Sequence, residues 1–319
     1  MDATPDSSQP NGSDESAGLP NVDVVIATHN RPELLRVALD AVLGQTYEGK
    51  ITCYLVFDRS EPDQALAQTS ATRDVVVTTN TRSPGLAGAR NTGILAGAGT
   101  YVAFCDDDDE WLPDKIALQV SALRQTGNPT AVTGIVVLYA DREVVRVPRQ
   151  ADMTLAELVR NRVMEAHPST VLVDRATLVD RIGLVDEEIP GSYGEDFDWI
   201  LRAAQAGAFA VVEQALVRVR WGQSLFSSRW QTIVDAIDYI ITKHAALFLN
   251  SPRGLARLYG RQAFALASLS RRREALGKCL QAWRLNPQER RVYVSAAVAL
   301  RLVSSQRLID MAHKRGRGI

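Results

Sequence analysis

Residues 98–115 read AGTYVAFCDDDDEWLPDK. A glycine-bearing turn leads into the apolar run 101–105, which ends in five consecutive acids, Asp106 to Glu110. A short apolar run bounded by turn residues reads as a buried strand. Five adjacent carboxylates are unfavourable together, because each raises the pKa of its neighbours unless a cation or an N–H array compensates. Oxygen ligands at this density suit a hard divalent ion such as Mg²⁺ or Mn²⁺. An EF-hand does not fit: counting from Asp106, Trp111 stands at the sixth loop position, which needs Gly. The competing reading is a solvated acidic loop that caps the next helix through Asp109 or Glu110.

The flanking sequence repeats the strand-then-polar-loop arrangement. Residues 24–27 and 52–57 are apolar runs ending at Thr28-His29-Asn30-Arg31 and Asp58-Arg59-Ser60. Residues 75–77 form a third run. Helical spacing follows Pro32, covers 89–96 after the Gly85/Gly88 loop, and recurs over 113–126. Strands alternating with helices predict an α/β fold with a mostly parallel central sheet and helices on both faces. Ligands then bind beyond the carboxyl ends of the strands, where Asn30, Asp58 and Asp106 converge. Further strands are expected at 131–138, 171–173 and 208–212, and a helix at 196–206 ended by Gly207. From about residue 224 the pattern is helical, with stretches 261–285 and 291–312 parted by Asn286-Pro287.

Composition bounds the class. The chain has 319 residues, 46% hydrophobic and 23% charged, with a formal net charge of −1. That average hides an asymmetry: residues 250–319 hold 15 Lys+Arg against 3 Asp+Glu, leaving 21 against 34 for residues 1–249. Residues 1–20 are polar and read as a disordered acidic tail without the pattern of a secretory leader. Three cysteines suggest reduced thiols in a cytosolic protein. The expected organisation is therefore a tail (1–20), a catalytic domain (21–222) and a basic helical region (223–319).

Seven segments, in this order and spacing, resemble the family 2 glycosyltransferases with the GT-A fold: VVIATHNR (24–31), QTY (45–47), VFDRS (56–60), GLAGARN (85–91), AGTYVAFCDDDD (98–109), WLPDK (111–115) and GEDFDWILR (194–202). The resemblance spans roughly residues 22–220. It implies metal-dependent, inverting transfer of a sugar from a nucleotide-diphosphate donor. Carried onto this chain, it places Asp58 on the nucleobase and Thr28, Asn30 and Arg31 along the nucleotide pocket, with Arg90 close by. Asp106 or Asp107 would touch the ribose or donor sugar, and Asp108 would hold Mn²⁺ or Mg²⁺. Four consecutive Asp leave that register open by one position. Asp196, beside Glu195, would be the catalytic base. Two departures stand out: Phe57-Asp58 replaces the family's frequent acid pair, and Trp221 stands where members often carry a His.

Each residue also has a plainer role. Asp196 could cap the 196–206 helix, and Asp198 reads as a solvated first-turn acid. His167 and Trp199 could line the donor or acceptor pocket or simply be structural. Gly85 and Gly88 read as loop formers, since no Lys-Ser/Thr follows as in a P-loop. A sugar-phosphate nucleotidyltransferase is disfavoured, because its Gly-rich loop would replace Thr28–Arg31. A degenerate nucleotide-sugar-binding protein is disfavoured by retention of Asp58, Asp106, Asp108 and Asp196. The expected acceptor is a glycan, a lipid-linked sugar or a small molecule, and no nucleic acid is expected as a partner. The location expected is cytoplasmic, with the basic helices touching the inner face of the membrane.

Overall fold

The computed structural model describes residues 18–139, 142–220 and 229–314. Trp221-Gly222-Gln223-Ser224, the 222/223 boundary and all but the end of the 1–20 tail lie outside the described residues. Among the described residues nine strands form one sheet: β1 (Val22–Thr28), β2 (Ile51–Phe57), β3 (Arg73–Thr79), β4 (Tyr101–Asp106), β5 (Glu110–Trp111), β6 (Thr130–Tyr139), β7 (Arg142–Arg146), β8 (Leu172–Asp174) and β9 (Phe209–Arg220). Their order is β3-β2-β1-β4-β8-β6-β9-β5, with β7 paired to β6.

The first half is parallel, in register Ala27↔Val56 and Ala27↔Asp106. That register aligns the ends of β1, β2 and β4 on one edge. Both faces are covered, so β1 is buried at every position and alternate residues serve opposite cores. Val25, Tyr54 and Phe104 face one core with the helices Leu86–Ala96 and Glu195–Ala206. Val24, Ile26 and Cys105 face the other with Pro32–Leu43 and Lys115–Thr126. Gly93 lets the Leu86–Ala96 helix press onto β1: a Cβ there would lie 2.4 Å from Val25 Cγ1.

The second half of the sheet is mixed. β8 runs antiparallel to both β4 and β6, while β6 and β9 are parallel. Leu172, the first residue of antiparallel β8, pairs with Ala103, so residues 167–170 just before it run on toward the carboxyl edge beside Asp106. β5 and β7 escape sequence reading because one is two residues long and the other, REVVR, is largely exposed.

The C-terminal region is helical, as expected, but broken more often. The 261–285 stretch divides at Leu269–Arg271, where Ser270 adopts φ 61° and the Arg271 N–H donates to the Leu266 carbonyl. The 291–312 stretch divides after Ala299, where Arg301 likewise has φ 61°. These helices are not an outlying appendage. Ile233, Ile237, Phe248, Leu258 and Phe264 complete the same core as Val25 and Phe104.

Polar contacts fix the join. Asp198 is fully buried rather than solvated. Its carboxylate accepts from Arg202 (2.8 Å) on its own helix and meets Lys243 Nζ (2.7 Å) and His244 Nε2 (2.8 Å) at the end of the Trp230–Lys243 helix. Burial alone would raise this carboxyl, yet His244, Arg202 and Lys243 hold it far below the usual carboxylate range. Removing one partner of a buried ion pair strands the others, at about 3–5 kcal/mol, so Asp198→Ala should lose about that much in urea unfolding at pH 7. Because the folded pKa is depressed, the stabilisation is complete above the unfolded value of about 4. It fades as pH falls below that value, so the gap between wild type and Asp198→Ala should narrow by pH 3.

Candidate functional site

Three loops meet at the carboxyl edge. After β1, Thr28 Oγ1 donates to Asp107 Oδ2 at 2.8 Å, and Arg31 Nη1 reaches Asp107 Oδ1 at 3.1 Å and Asp108 Oδ2 at 2.9 Å. Asn30 turns the chain at φ 54° and is exposed. After β2, buried Asp58 accepts from Asn80 Nδ2 (2.9 Å), the Gly85 N–H (3.0 Å) and Arg59 Nε (3.0 Å). Burial pushes its carboxyl up, but those hydrogen bonds win and hold it low. Asp58 thus anchors the Gly85 loop as well as facing this edge.

After β4 the acids diverge in environment. Asp106 is half-buried, which would raise its carboxyl, but Arg90 and His167 keep it below the usual range. Burial raises Asp107 against Thr28 and Arg31, and burial with Asp106 and Asp107 raises Asp108. Asp109 is driven highest, by burial and by Asp106, although Ser169 Oγ donates to it at 2.5 Å. The exit from the cluster is pinned from below. Gln45 Oε1 accepts from the Ile116 N–H, and its amide donates to the Leu112 carbonyl. Buried Lys115 sits 3.9 Å over the Trp111 ring, its Nζ donating to Gln119, with its pKa pushed down to about 7 by burial.

Two carboxylate groups about 90 residues apart in sequence meet through one side chain. Buried Arg90 donates through Nη2 to Asp106 Oδ1 (2.5 Å) and through Nη1 to Glu195 Oε1 (2.7 Å). Burial would lower this guanidinium's pKa, but Asp106 and Glu195 raise it. Glu195 rises to about 7, through burial and then Asp196, despite Arg90. Asp196 lies within the first turn of a helix capped by Gly194, so it is not the cap. Its Oδ2 pairs with Arg162 Nη2 at 3.3 Å. A small cavity joins Arg90, Glu195, Asp196, Phe104 and Trp199. Trp199 stacks edge-on against Phe104, and its buried indole N–H has no partner among the described residues.

The arrangement suits a divalent cation. Asp106, Asp109 and His167 each offer one ligand atom, all within 4.8 Å of one another. His167 Nδ1 is 3.4 Å from Asp109 Oδ2, and its Nε2 is 3.8 Å from Asp106 Oδ2. Two carboxylates and an imidazole, packed where negative charge is poorly compensated, are a donor set that Mn²⁺ or Mg²⁺ would fit. Asp108, the ligand the motif implies, instead faces Arg31. Sequence reasoning named Asp109 only as a helix cap or through the open register of the acid run, and did not name Ser169 as a site residue. The available signal was Asp109's place in the acid run and Ser169's in His167-Pro168-Ser169-Thr170.

A parallel sheet edge that gathers an acid run, the Thr28–Arg31 loop and a second carboxylate pair fits the GT-A glycosyltransferase architecture. The family model for Glycosyl transferase family 2 matches residues 23–180, and the chain belongs to that family. A curated relative, UDP-Glc:alpha-D-GlcNAc-diphosphoundecaprenol beta-1,3-glucosyltransferase WfgD of Escherichia coli, is 25% identical over 124 residues, 39% of this chain and 46% of the relative. The match thus spans about half the length of that relative. The S. aureus TarS 1-349 structure in complex with UDP-GlcNAc superposes with TM-score 0.60 at 17% identity, covering 93% of this chain and 92% of that one. The mannosyltransferase PcManGT from Pyrobaculum calidifontis, in complex with GDP-Man and Mn2+, gives TM-score 0.51 at 18% identity over 92% and 84%.

Ser169 supports the donor set from behind: its hydroxyl donates to Asp109 and accepts from the Asp106 N–H. Loss of such an outer partner weakens metal binding about 10–100-fold. Ser169→Ala should weaken Mn²⁺ binding in calorimetric titration by that factor; unchanged affinity would place the ion elsewhere.

Proposed function

We propose that this protein is an inverting glycosyltransferase, moving a sugar from a nucleotide-diphosphate donor to a hydroxyl acceptor with a divalent metal. The observation that carries the reading is the Arg90 bridge, which sets Glu195-Asp196 against the acid cluster. Single displacement needs a base on the face opposite the leaving diphosphate, and the two carboxylate groups supply both sides of that geometry. Asp196 takes the proton of the acceptor hydroxyl as its oxygen bonds to the anomeric carbon. The bond from that carbon to the diphosphate oxygen breaks, and the electron pair leaves with the nucleoside diphosphate. A divalent ion held among Asp106, Asp109 and His167 would stabilise the charge on the departing diphosphate. Thr28, Arg31 and Asp58 line the donor side. Arg90 and Glu195 are positioning residues, and Trp199 forms the cavity wall between the two sides.

The donor and acceptor classes draw support from the relatives: one name specifies a UDP-glucose donor and a lipid-linked diphosphate acceptor, and two structures hold nucleotide sugars. The direct test is thermal stabilisation by UDP, GDP or dTDP with Mn²⁺; no stabilisation by any of them would overturn the reading. Asp196→Asn should keep that stabilisation and lose transfer by at least about 10²-fold. Transfer at the wild-type rate would remove Asp196 as the base.

We also infer peripheral contact with an anionic membrane. No helix among the described residues is long and apolar enough to cross a membrane. On the Arg272–Leu285 helix, however, Leu276, Leu280 and Trp283 form an exposed stripe at helical spacing beside exposed Arg273 and Arg284. Apolar and aromatic side chains rimmed by Arg are the composition of an interfacial helix. The full-length protein should co-sediment with phosphatidylglycerol vesicles and not with phosphatidylcholine alone, and Leu280→Glu with Trp283→Glu should abolish it. Failure of the wild-type chain to sediment with either would overturn the inference.

A further inference from the structure

We propose that an anion-binding subsite lies on the acceptor side, next to Asp196, and takes a phosphate group carried by the acceptor. The carrying observation is Arg257. It is 7% exposed, and its Nε and Nη2 have no hydrogen-bond partner among the described residues. Its guanidinium stacks 5.2 Å over the Phe197 ring, one residue from Asp196. Three more arginines, Arg261, Arg291 and Arg162, lie near enough to oppose its charge, and Glu289 partly offsets them.

Its neighbours have partners of their own, although Arg291 Nε also lies buried without one among the described residues. Arg261 donates to the Tyr193 hydroxyl and stacks on its ring. Arg291 pairs with Glu289 at 3.1 Å, and Arg162 with Asp196 at 3.3 Å. Four guanidinium groups thus face two carboxylates, a local excess of two positive charges. Arg257 and Arg261 are four residues apart on the Pro252–Ser268 helix, a spacing at which like charges repel. A buried guanidinium with unmet donors is costly. A phosphate dianion matches both the excess charge and the forked donors. Arg162 and Arg291 are partly exposed, so the group has an approach from the rim.

The placement names the substrate class. The subsite adjoins Asp196, whereas the donor diphosphate belongs with the acid cluster across Arg90. The acceptor is therefore a hydroxyl compound bearing a phosphate ester or diphosphate close to the hydroxyl that is glycosylated. This assignment rests on Asp196 being the base, but phosphate binding itself can be read without donor or metal.

The test is thermal denaturation of the full chain with inorganic phosphate, against chloride at equal ionic strength. Wild type should show a saturable rise of about 5 °C at a hundredfold excess over Kd, with no such rise in chloride. Arg257→Met should lose the response. Arg162→Gln, on the rim, should weaken it, so the conclusion does not hang on one variant folding. The phosphate shift should add to that of UDP with Mn²⁺. No saturable response in wild type, an equal response in both variants, or mutual exclusion with the nucleotide would overturn the subsite; exclusion would place phosphate in the donor's own diphosphate position. If nucleotides with Mn²⁺ fail while phosphate still stabilises, the transferase reading falls and the anion site stands.

Discussion

One buried guanidinium sets the geometry on which the rest depends. Arg90 sits on the Leu86–Ala96 helix with its fork between Asp106 and Glu195. Those acids belong to distant parts of the chain, and both are pressed into low-dielectric surroundings where a lone carboxylate would be costly. The fork can span them because its two ends donate in one plane. Its position follows from Gly93, one turn further along the same helix, which removes the side chain that would hold the helix off β1. Backbone packing thus decides the place of the cation, and the cation decides the separation of the two carboxylate groups.

The second constraint is the reversal of β8. Had every strand run parallel, the residues before β8 would lie at the opposite edge of the sheet from Asp106. Running antiparallel, β8 delivers His167 and Ser169 to the acid cluster. The cluster then has an imidazole and a hydroxyl donor that the acid run alone lacks. The carboxylates respond unequally: Asp106 stays low because Arg90 and His167 face it, while Asp109 is driven up by its burial and then by Asp106. An electrostatic imbalance of this kind is what a divalent cation relieves.

The parts legible in the sequence were those that obey local rules. β1, β2 and β4 are continuous apolar runs buried on both faces, so their ends, and with them Asn30, Asp58 and Asp106, could be placed on one edge from the sequence alone. The acid run declared itself by its density. The direction of β8 was not legible, because three residues carry no directional signal. Asp198 was misread for a related reason. First-turn acids are usually solvated, and only the arrival of Lys243 and His244 from a later helix buries it among cations. Arg257 looks like any surface arginine of a basic helix until Phe197 and the neighbouring guanidinium groups close around it.

The charge asymmetry between the two parts of the chain therefore resolves into two populations. Arg273 and Arg284 lie at the surface, where their charges are solvated and inexpensive. Arg257 lies where the C-terminal helices pack against the Glu195–Ala206 helix, and there the charge opposes folding unless something neutralises it. Leu258 and Phe264, on the same helix, complete the core that Val25 and Phe104 begin. That helix therefore cannot withdraw to relieve the strain without opening the domain. A fold that holds an unmet guanidinium in place by hydrophobic packing keeps a preorganised donor over Phe197, the residue next to Asp196. This is the condition under which an anionic group gains most from binding, since the desolvation of the receptor has already been met by the fold.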